Sequence, residues 1–183
     1  MRRGDAPLPT DHQAGGGEFR LANPCGRTLE SGGGPQDAWV GLGGRLDRNA
    51  ARSVELILID TSAWIEYLRD TGTEPCIRVD QLLGHEIATC DVVRMEILAG
   101  ARDERHLGQL RRLLARATIV ATQPADYDSA AAMYRRCRQR GETVRKLLDC
   151  LIGAIAVRAD VPILHHDADF DVLARHTELQ VLA

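Results

Sequence analysis

Apolar positions from residue 54 onward fall into short unbroken runs that alternate with stretches of helical period. The runs predict strands over residues 56–59, 86–89, 118–121, 161–164 and 179–182. Spacings of three and four predict helices over 63–69, 92–99, 107–114, 124–141, 148–155 and 169–175. Because parallel strands need crossover helices between them, this order predicts an α/β fold, namely a three-layer α/β/α sandwich around a central, mostly parallel sheet.

Residues 1–53 follow no such pattern. They contain three glycine clusters, and their apolar residues are too sparse to form a face. Such a segment cannot bury enough surface to offset its chain entropy. We therefore expect a Gly/Pro-rich extension over 1–53, either disordered or preceding a true translation start near Val54, and one domain over 54–183.

Composition and charge exclude several classes of protein. The 44% of hydrophobic residues is ordinary for a globular domain, and the net charge of −3 is not that of a general nucleic-acid binder. Five cysteines without a C-x-x-C pair make a disulfide scaffold or a zinc knuckle a poor fit. No run approaches the roughly 18 apolar residues of a membrane span. We expect a cytoplasmic protein that does not enter a membrane.

Acidic residues follow two of the predicted strands. Asp60 ends the first run, and Asp167 and Asp169 follow the run at 161–164. Parallel strands deliver such residues to the carboxyl edge of the sheet, where α/β proteins bind ligands. Each has a simpler explanation as a helix N-cap or a turn residue.

Two further acids lie within apolar helices. Glu96 is flanked by valine, isoleucine and leucine, although a salt bridge to Arg94 or Arg102 would also explain it. Asp149 lies in the most apolar helix, where Gly153 predicts the close approach of another backbone or a ligand. Five carboxylates in one pocket would repel one another unless a divalent cation lay among them.

Four sequence blocks carry these acids, and they resemble the acidic signatures of PIN-domain ribonucleases, specifically of VapC-type toxins. The blocks are LIDTSAWI at 58–65, MEILAG at 95–100, LDCLIGAIA at 148–156 and HDADF at 166–170. The resemblance implies an endoribonuclease that uses Mg²⁺ or Mn²⁺. Its catalytic and metal-binding residues would be Asp60, Glu96, Asp149, Asp167 and Asp169.

The same resemblance implies the toxin of a type II toxin–antitoxin system. Its partners would be a VapB-type antitoxin, whose basic side chain would occlude the acidic pocket, and a second copy of the chain in a homodimer. The implied substrate is RNA, and sequence-specific RNA binding favours unpaired bases.

Candidate RNA contacts lie on two elements. Thr61 and Ser62 could cap the helix after Asp60 and offer a hydroxyl to the metal or to a substrate phosphate. Arg135 and Arg136 could bind phosphates, although a solvated helix end explains them equally well. For His165 and His166 a structural role is the favoured interpretation.

Two other functions fit parts of the pattern. A PIN scaffold could bind RNA or a protein partner without cutting. A phosphatase could use Asp60 as its nucleophile, but such enzymes need a second Asp two positions on, where this chain has Ser62, and no partner lysine is evident.

Overall fold

The computed structural model describes residues 56–83, 85 and 87–182, so the prediction for residues 1–53 lies outside the described residues. The strands are β1 (Ile57–Ile59), β2 (Ile87–Cys90), β3 (Thr118–Val120), β4 (Ile163–Leu164) and β5 (Val181–Leu182). The helices are α1 (Thr61–Leu68), α2 (Glu74–Leu82), α3 (Asp91–Ala99), α4 (Glu104–Leu114), α5 (Pro124–Gln139), α6 (Leu147–Ala159) and α7 (Ala168–His176).

The five strands form one parallel sheet in the order β3-β2-β1-β4-β5. From β1 the chain moves outward to β2 and β3, then crosses back to form β4 and β5 on the other side. Right-handed crossovers in these two directions place α1–α4 on one face and α5–α7 on the other. The predicted α/β/α sandwich is confirmed.

The strand order reverses beside β1, which positions the candidate site. Leu58 pairs with Ala88 of β2 on one side and with Ile163 of β4 on the other. In open parallel sheets such a reversal leaves a crevice at the carboxyl ends of the strands. Asp60 and Asp167 follow the two strands that border this crevice.

A continuous core fixes the elements around the sheet. Trp64 of α1 and Phe170 of α7 are fully buried, as are Leu58 and Ile59 of β1. Helix α6 is buried from Asp149 to Ala156. This explains why its sequence is apolar on every side.

One helix, α2, was not predicted. Its buried residues Cys76 and Val79 are only three apart, and most of its other positions are polar. Strand boundaries also differ slightly, since β2 is 87–90 instead of 86–89 and β4 retains only two residues of the predicted four. Pro162 has no N–H for the sheet, although its carbonyl accepts a hydrogen bond from Leu58 N at 2.9 Å.

The prediction that Gly153 marks the close approach of a backbone or a ligand is wrong. A Cβ atom at this position would lie 3.4 Å from Leu173 Cδ1, 3.6 Å from Leu179 Cδ2 and 3.9 Å from Met133 Sδ. These are side chains at ordinary van der Waals distance. Gly153 therefore lies in a side-chain interface between α6 and its neighbours.

Four cysteines, Cys76, Cys90, Cys137 and Cys150, are buried free thiols, and Cys25 lies outside the described residues. This agrees with the expectation that disulfides do not hold the fold together. Within the described part of the chain, every helix is too short or too polar to span a bilayer.

Candidate active site

Asp60 is held at the junction of β1 and α1. It is 3% exposed and is itself the N-cap of α1, since its Oδ2 accepts hydrogen bonds from Ser62 N at 2.8 Å and Ser62 Oγ at 2.5 Å. The prediction that Thr61 or Ser62 caps this helix is wrong, because the extended backbone at Asp60 already brings a carboxylate to the free amide. Ser62 Oγ also accepts a hydrogen bond from His166 N at 2.8 Å, which joins the ends of β1 and β4.

Glu96 is joined to α1 by a hydroxyl. Thr61 Oγ1 donates to Glu96 Oε2 at 2.5 Å, so α3 presents this half-buried carboxylate beside Asp60. The alternative salt bridge to Arg94 or Arg102 is not formed among the described residues.

Asp149 lies in the first turn of α6 and is 5% exposed. Its buried Oδ2 atom has no hydrogen-bond partner. The pKa of Asp149 is raised to about 7, chiefly by burial; Lys146 opposes this effect, and the nearby Asp60, Asp167 and Asp169 add to it. Burying a carboxyl oxygen without a hydrogen-bond partner is costly. Its presence here therefore points to a functional role for Asp149, in which a bound group would contact that oxygen.

Asp167 and Asp169 are held by cations. Asp167 is the N-cap of α7 and accepts hydrogen bonds from Asp169 N at 3.1 Å, Arg145 Nη2 at 2.5 Å and Lys146 Nζ at 3.3 Å. Asp169 is 3% exposed and accepts from Arg145 N at 2.8 Å and Arg145 Nε at 3.0 Å. The predicted Asp-x-Asp turn therefore exists, with a basic segment in front of it.

Burial and hydrogen bonding have different net effects on the acids of this site. Burial raises the pKa of Asp60, and its bonds to Ser62 only partly oppose that effect. Burial also acts to raise the pKa of Asp167, but the amide of Asp169 together with Lys146 and Arg145 outweighs it and lowers the pKa. A site with carboxylates pushed in opposite directions can hold a proton on one group and a charge on another.

Arg145 and Lys146 were not predicted as site residues. The available signal was two consecutive cations immediately before the helix that carries Asp149. The Lys146 ammonium contacts Asp167, and Asp149 raises the pKa of Lys146. Ser62, which hydrogen-bonds Asp60, still occupies the position where a phosphatase needs a second Asp.

The predicted arginine contacts lie away from the acids. Arg135 is exposed on α5, and Arg136 Nη1 donates to the carbonyl of His176 at 3.4 Å. His176 ends α7, whereas Asp167 and Asp169 lie at its beginning. The structure therefore does not bring Arg135 and Arg136 together with the carboxylates.

The two histidines also differ. His165 packs against Phe170 with 5.2 Å between ring centroids, and its Nε2 lies 3.8 Å from Asp171 Oδ1. His166 is exposed beside α1, where its charge lowers the pKa of Glu66 after the larger effects of Thr71 and Thr73. The contacts of His165 are those of a structural residue.

The donors at this crevice suit a hard divalent cation. Among residues 56–83, 85 and 87–182, no group of three or more Asp, Glu, His or Cys side chains is placed so that it could hold a metal ion. Asp60, Glu96, Asp149 and Asp167 nevertheless offer oxygen ligands in one region, and Asp149 Oδ2 has no protein partner. Oxygen-rich sites favour Mg²⁺ or Mn²⁺.

Comparison with known proteins identifies the family of the chain. The PIN domain family model matches residues 57–176. Ribonuclease VapC11 of Mycobacterium tuberculosis and VapC ribonuclease Mb1587 of Mycobacterium bovis are each 48% identical over 129 residues, covering 68% of this chain and 96% of each relative. The structure of VapBC2 from Rickettsia felis bound to a DNA fragment from their promoter matches with a TM-score of 0.58 and 16% identity, over 69% of this chain and 97% of that chain. The chain therefore belongs to the PIN-domain family, as a member of its VapC group.

Proposed function

We propose that this chain is the ribonuclease toxin of a VapBC-type toxin–antitoxin pair and that its hydrolysis of RNA depends on a divalent cation. The observation that carries the metal dependence is the buried, unpartnered Oδ2 of Asp149 beside three other acids. The names of the 48% identical relatives support the ribonuclease activity.

Asp60 and Asp149 would hold the cation, with Glu96 and Asp167 or Asp169 beside them. When bound, Mg²⁺ or Mn²⁺ would supply an activated water and neutralise charge on the reacting phosphate. The chain's own contribution is to fix these carboxylates. Ser62 holds Asp60, and Arg145 holds both Asp167 and Asp169.

Two further groups prepare the crevice for an anionic substrate. The side chains of Arg145 and Lys146 are 65% and 59% exposed, so both can contact an RNA phosphate while they bind Asp167.

Thr61 keeps Glu96 turned toward Asp60 through its hydroxyl. At neutral pH, Asp149 is poised to release a proton, which a binding cation would displace.

The proposed protein partner is a VapB-type antitoxin. The neighbouring structures include VapBC complexes from Rickettsia felis and Salmonella typhimurium, which supports this choice. An acidic crevice complements a basic side chain, so an antitoxin could inhibit by placing one there. The homodimer implied by the family stays a prediction.

The decisive experiment incubates the purified full chain, free of antitoxin, with total RNA and Mg²⁺ or Mn²⁺. We expect discrete fragments that disappear with EDTA and with Asp149→Asn but persist with Asp128→Asn, a matched change at an exposed acid of α5. Cleavage that continues in EDTA would refute the metal dependence. RNA binding without cleavage by the parent would favour the non-catalytic scaffold.

A further inference from the structure

A cavity of about 400 Å³ lies among α1, α3 and α4, next to the acidic crevice. Thr61 and Glu96 line this cavity, and the hydrogen bond between them forms its boundary with the site of Asp60. A molecule bound in the cavity would therefore lie beside the RNA phosphodiester bond that the acids are proposed to cleave. The size is within the range of small-molecule sites.

The cavity combines apolar walls with cationic groups. Ile65 and Leu68 of α1 face Leu110 of α4, and Leu68 is 40% exposed although it is a large apolar residue. Arg69 and Arg102 also line it. Apolar walls suit a flat ring and arginines suit a negative charge, so this combination fits a nucleotide, which carries both.

Arg102 is available for such a ligand. It is exposed, and none of the carboxylates in the described ranges forms an ion pair with its guanidinium. Arg69, by contrast, lies close enough to Glu66 to lower the pKa of that carboxyl, behind the larger effects of Thr71 and Thr73. Arg102 is therefore the stronger candidate for a phosphate contact.

His106 supplies a directional donor. Its Nδ1 accepts a hydrogen bond from Arg102 N at 3.2 Å, and its own backbone N–H donates to Asp103 Oδ1 at 2.7 Å at the start of α4. An Nδ1 that accepts places the proton of the neutral ring on Nε2. The ring is thus held at the cavity with a defined hydrogen-bond donor.

We propose that this cavity is a nucleotide subsite, which seats one unpaired base of the RNA substrate beside the cleaved bond. The base would lie against Ile65 and Leu68, with His106 Nε2 donating to an acceptor on its edge. Arg102 would bind the adjoining phosphate. The inference rests on the proposed ribonuclease function, because it places the subsite on the same RNA strand as the scissile phosphate.

The binding test uses the full chain in EDTA and a random-sequence single-stranded RNA octamer, followed by fluorescence anisotropy. We expect Arg102→Gln to reduce the slope of log Kd against log salt by about 0.7, the loss of one phosphate contact on a single strand. Leu68→Glu, which places a carboxylate where the base and its phosphate would lie, should weaken binding at least about tenfold through charge repulsion. The matched control Arg105→Gln changes a cation one position before His106 that does not line the cavity, and should bind as the parent does.

The specificity test maps the ends of RNA fragments made by the parent and by His106→Ala. Loss of one directional hydrogen bond should lower kcat/KM on the preferred sequence at least about fivefold and relax the base preference at one position beside the cut. Thermal unfolding of each variant identifies those that no longer fold, and His106→Gln then serves as the replacement.

The two tests separate this inference from the proposed function. If the parent cuts RNA but the cavity variants bind, cut and select bases as it does, the subsite is refuted and the ribonuclease stands. If the parent cuts nothing, the binding measurement still decides, because equal octamer affinity and salt slope in parent and variants refute the subsite. If the same variants lose a VapB-type antitoxin but not RNA, the cavity belongs to the protein partner.

Discussion

Burial and charge act on Asp149 with unequal strength. The carboxyl is nearly enclosed by α6 and its neighbours, and only Lys146 acts to keep it ionised. Other acids of the crevice add repulsion. As a result, the pKa of Asp149 in the folded chain is about 7, compared with 3.8 for an ordinary aspartate.

Stability in EDTA should therefore decrease as pH rises from about 4 to 7. The folded state holds this proton more tightly than the unfolded state, so the contribution of Asp149 is largest below pH 4 and is lost by about pH 7, a change of up to about 4 kcal/mol. Asp149→Asn should remove that part of the pH dependence. Urea unfolding of parent and variant across this range measures it, and parallel curves would contradict the assignment.

The hydroxyl of Ser62 connects two separate elements of the site. It donates to Asp60 and accepts from the backbone of His166, so Ser62→Ala removes two hydrogen bonds at the junction of β1 and β4. We expect the free energy of unfolding to fall by about 1–3 kcal/mol. Ser129→Ala, at an exposed position of α5, provides the control and should be neutral or slightly stabilising. Equal stability of the two variants would show that the Ser62 bonds contribute nothing net.

At the scale of elements, short apolar runs were sufficient to predict the five strands described, and the helical period was sufficient to predict six of the seven helices described. Helix α2 escaped because Cys76 and Val79 alone form its buried stripe, which leaves the helical period too short to recognise. Its start signals, Thr73 followed by Pro75 in the first turn, were present but are common in turns as well.

The acidic pattern alone could not separate site from scaffold. Asp126 is as buried as Asp149, yet it pairs with Arg158 Nε at 2.7 Å and accepts from Gln123 N at 2.7 Å. Gln123 is the N-cap of the same helix, but Arg158 lies in α6, 32 positions from Asp126, so only the fold identifies the ion pair. Arg145 was missed for the same reason, since its contacts with Asp169 span 24 positions.

Gly153 allows the packing of α6 to be tested. The neighbours of an added methyl group are side chains at 3.4 Å or more, so Gly153→Ala should gain helix propensity and stabilise the protein by up to about 1 kcal/mol. Gly108→Ala in α4 is the control for propensity, because its added methyl would approach only Arg112 Nη1 at 3.6 Å. Chemical denaturation compares the two. If Gly153→Ala alone lowers the free energy of unfolding, the side chain of Leu173 cannot move to accommodate the added methyl group.

For the whole molecule, the alternation of strands and helices predicted the fold class correctly, and four blocks far apart in the chain predicted the candidate site. What the chain order could not show was the sheet order. The return from β3 to β4 places Asp167 beside Asp60, although 107 positions separate them in sequence. Because the strand order reverses beside β1, blocks that are distant in the sequence lie next to each other in the fold.

The division of the chain into an extension and one domain is the remaining prediction at this scale. The buried core of the described residues is one cluster that begins at Leu58 and ends at Leu179. The aligned part of VapC11 accounts for 96% of that relative but only 68% of this chain, so the family fold needs no counterpart of the extension. We therefore expect residues 54–183 alone to unfold with the same midpoint as the full chain.

Thermal unfolding of both chains, with RNA cleavage measured alongside, tests this expectation. For a domain of this size, a contribution of 1 kcal/mol from the first 53 residues would shift Tm by about 2–8 °C, which is readily measured. A lower Tm for the shorter chain would show that the extension contributes to the folded structure. An unchanged Tm with altered cleavage would instead give the extension a role in substrate binding, since the acids proposed to be catalytic all lie in the retained part.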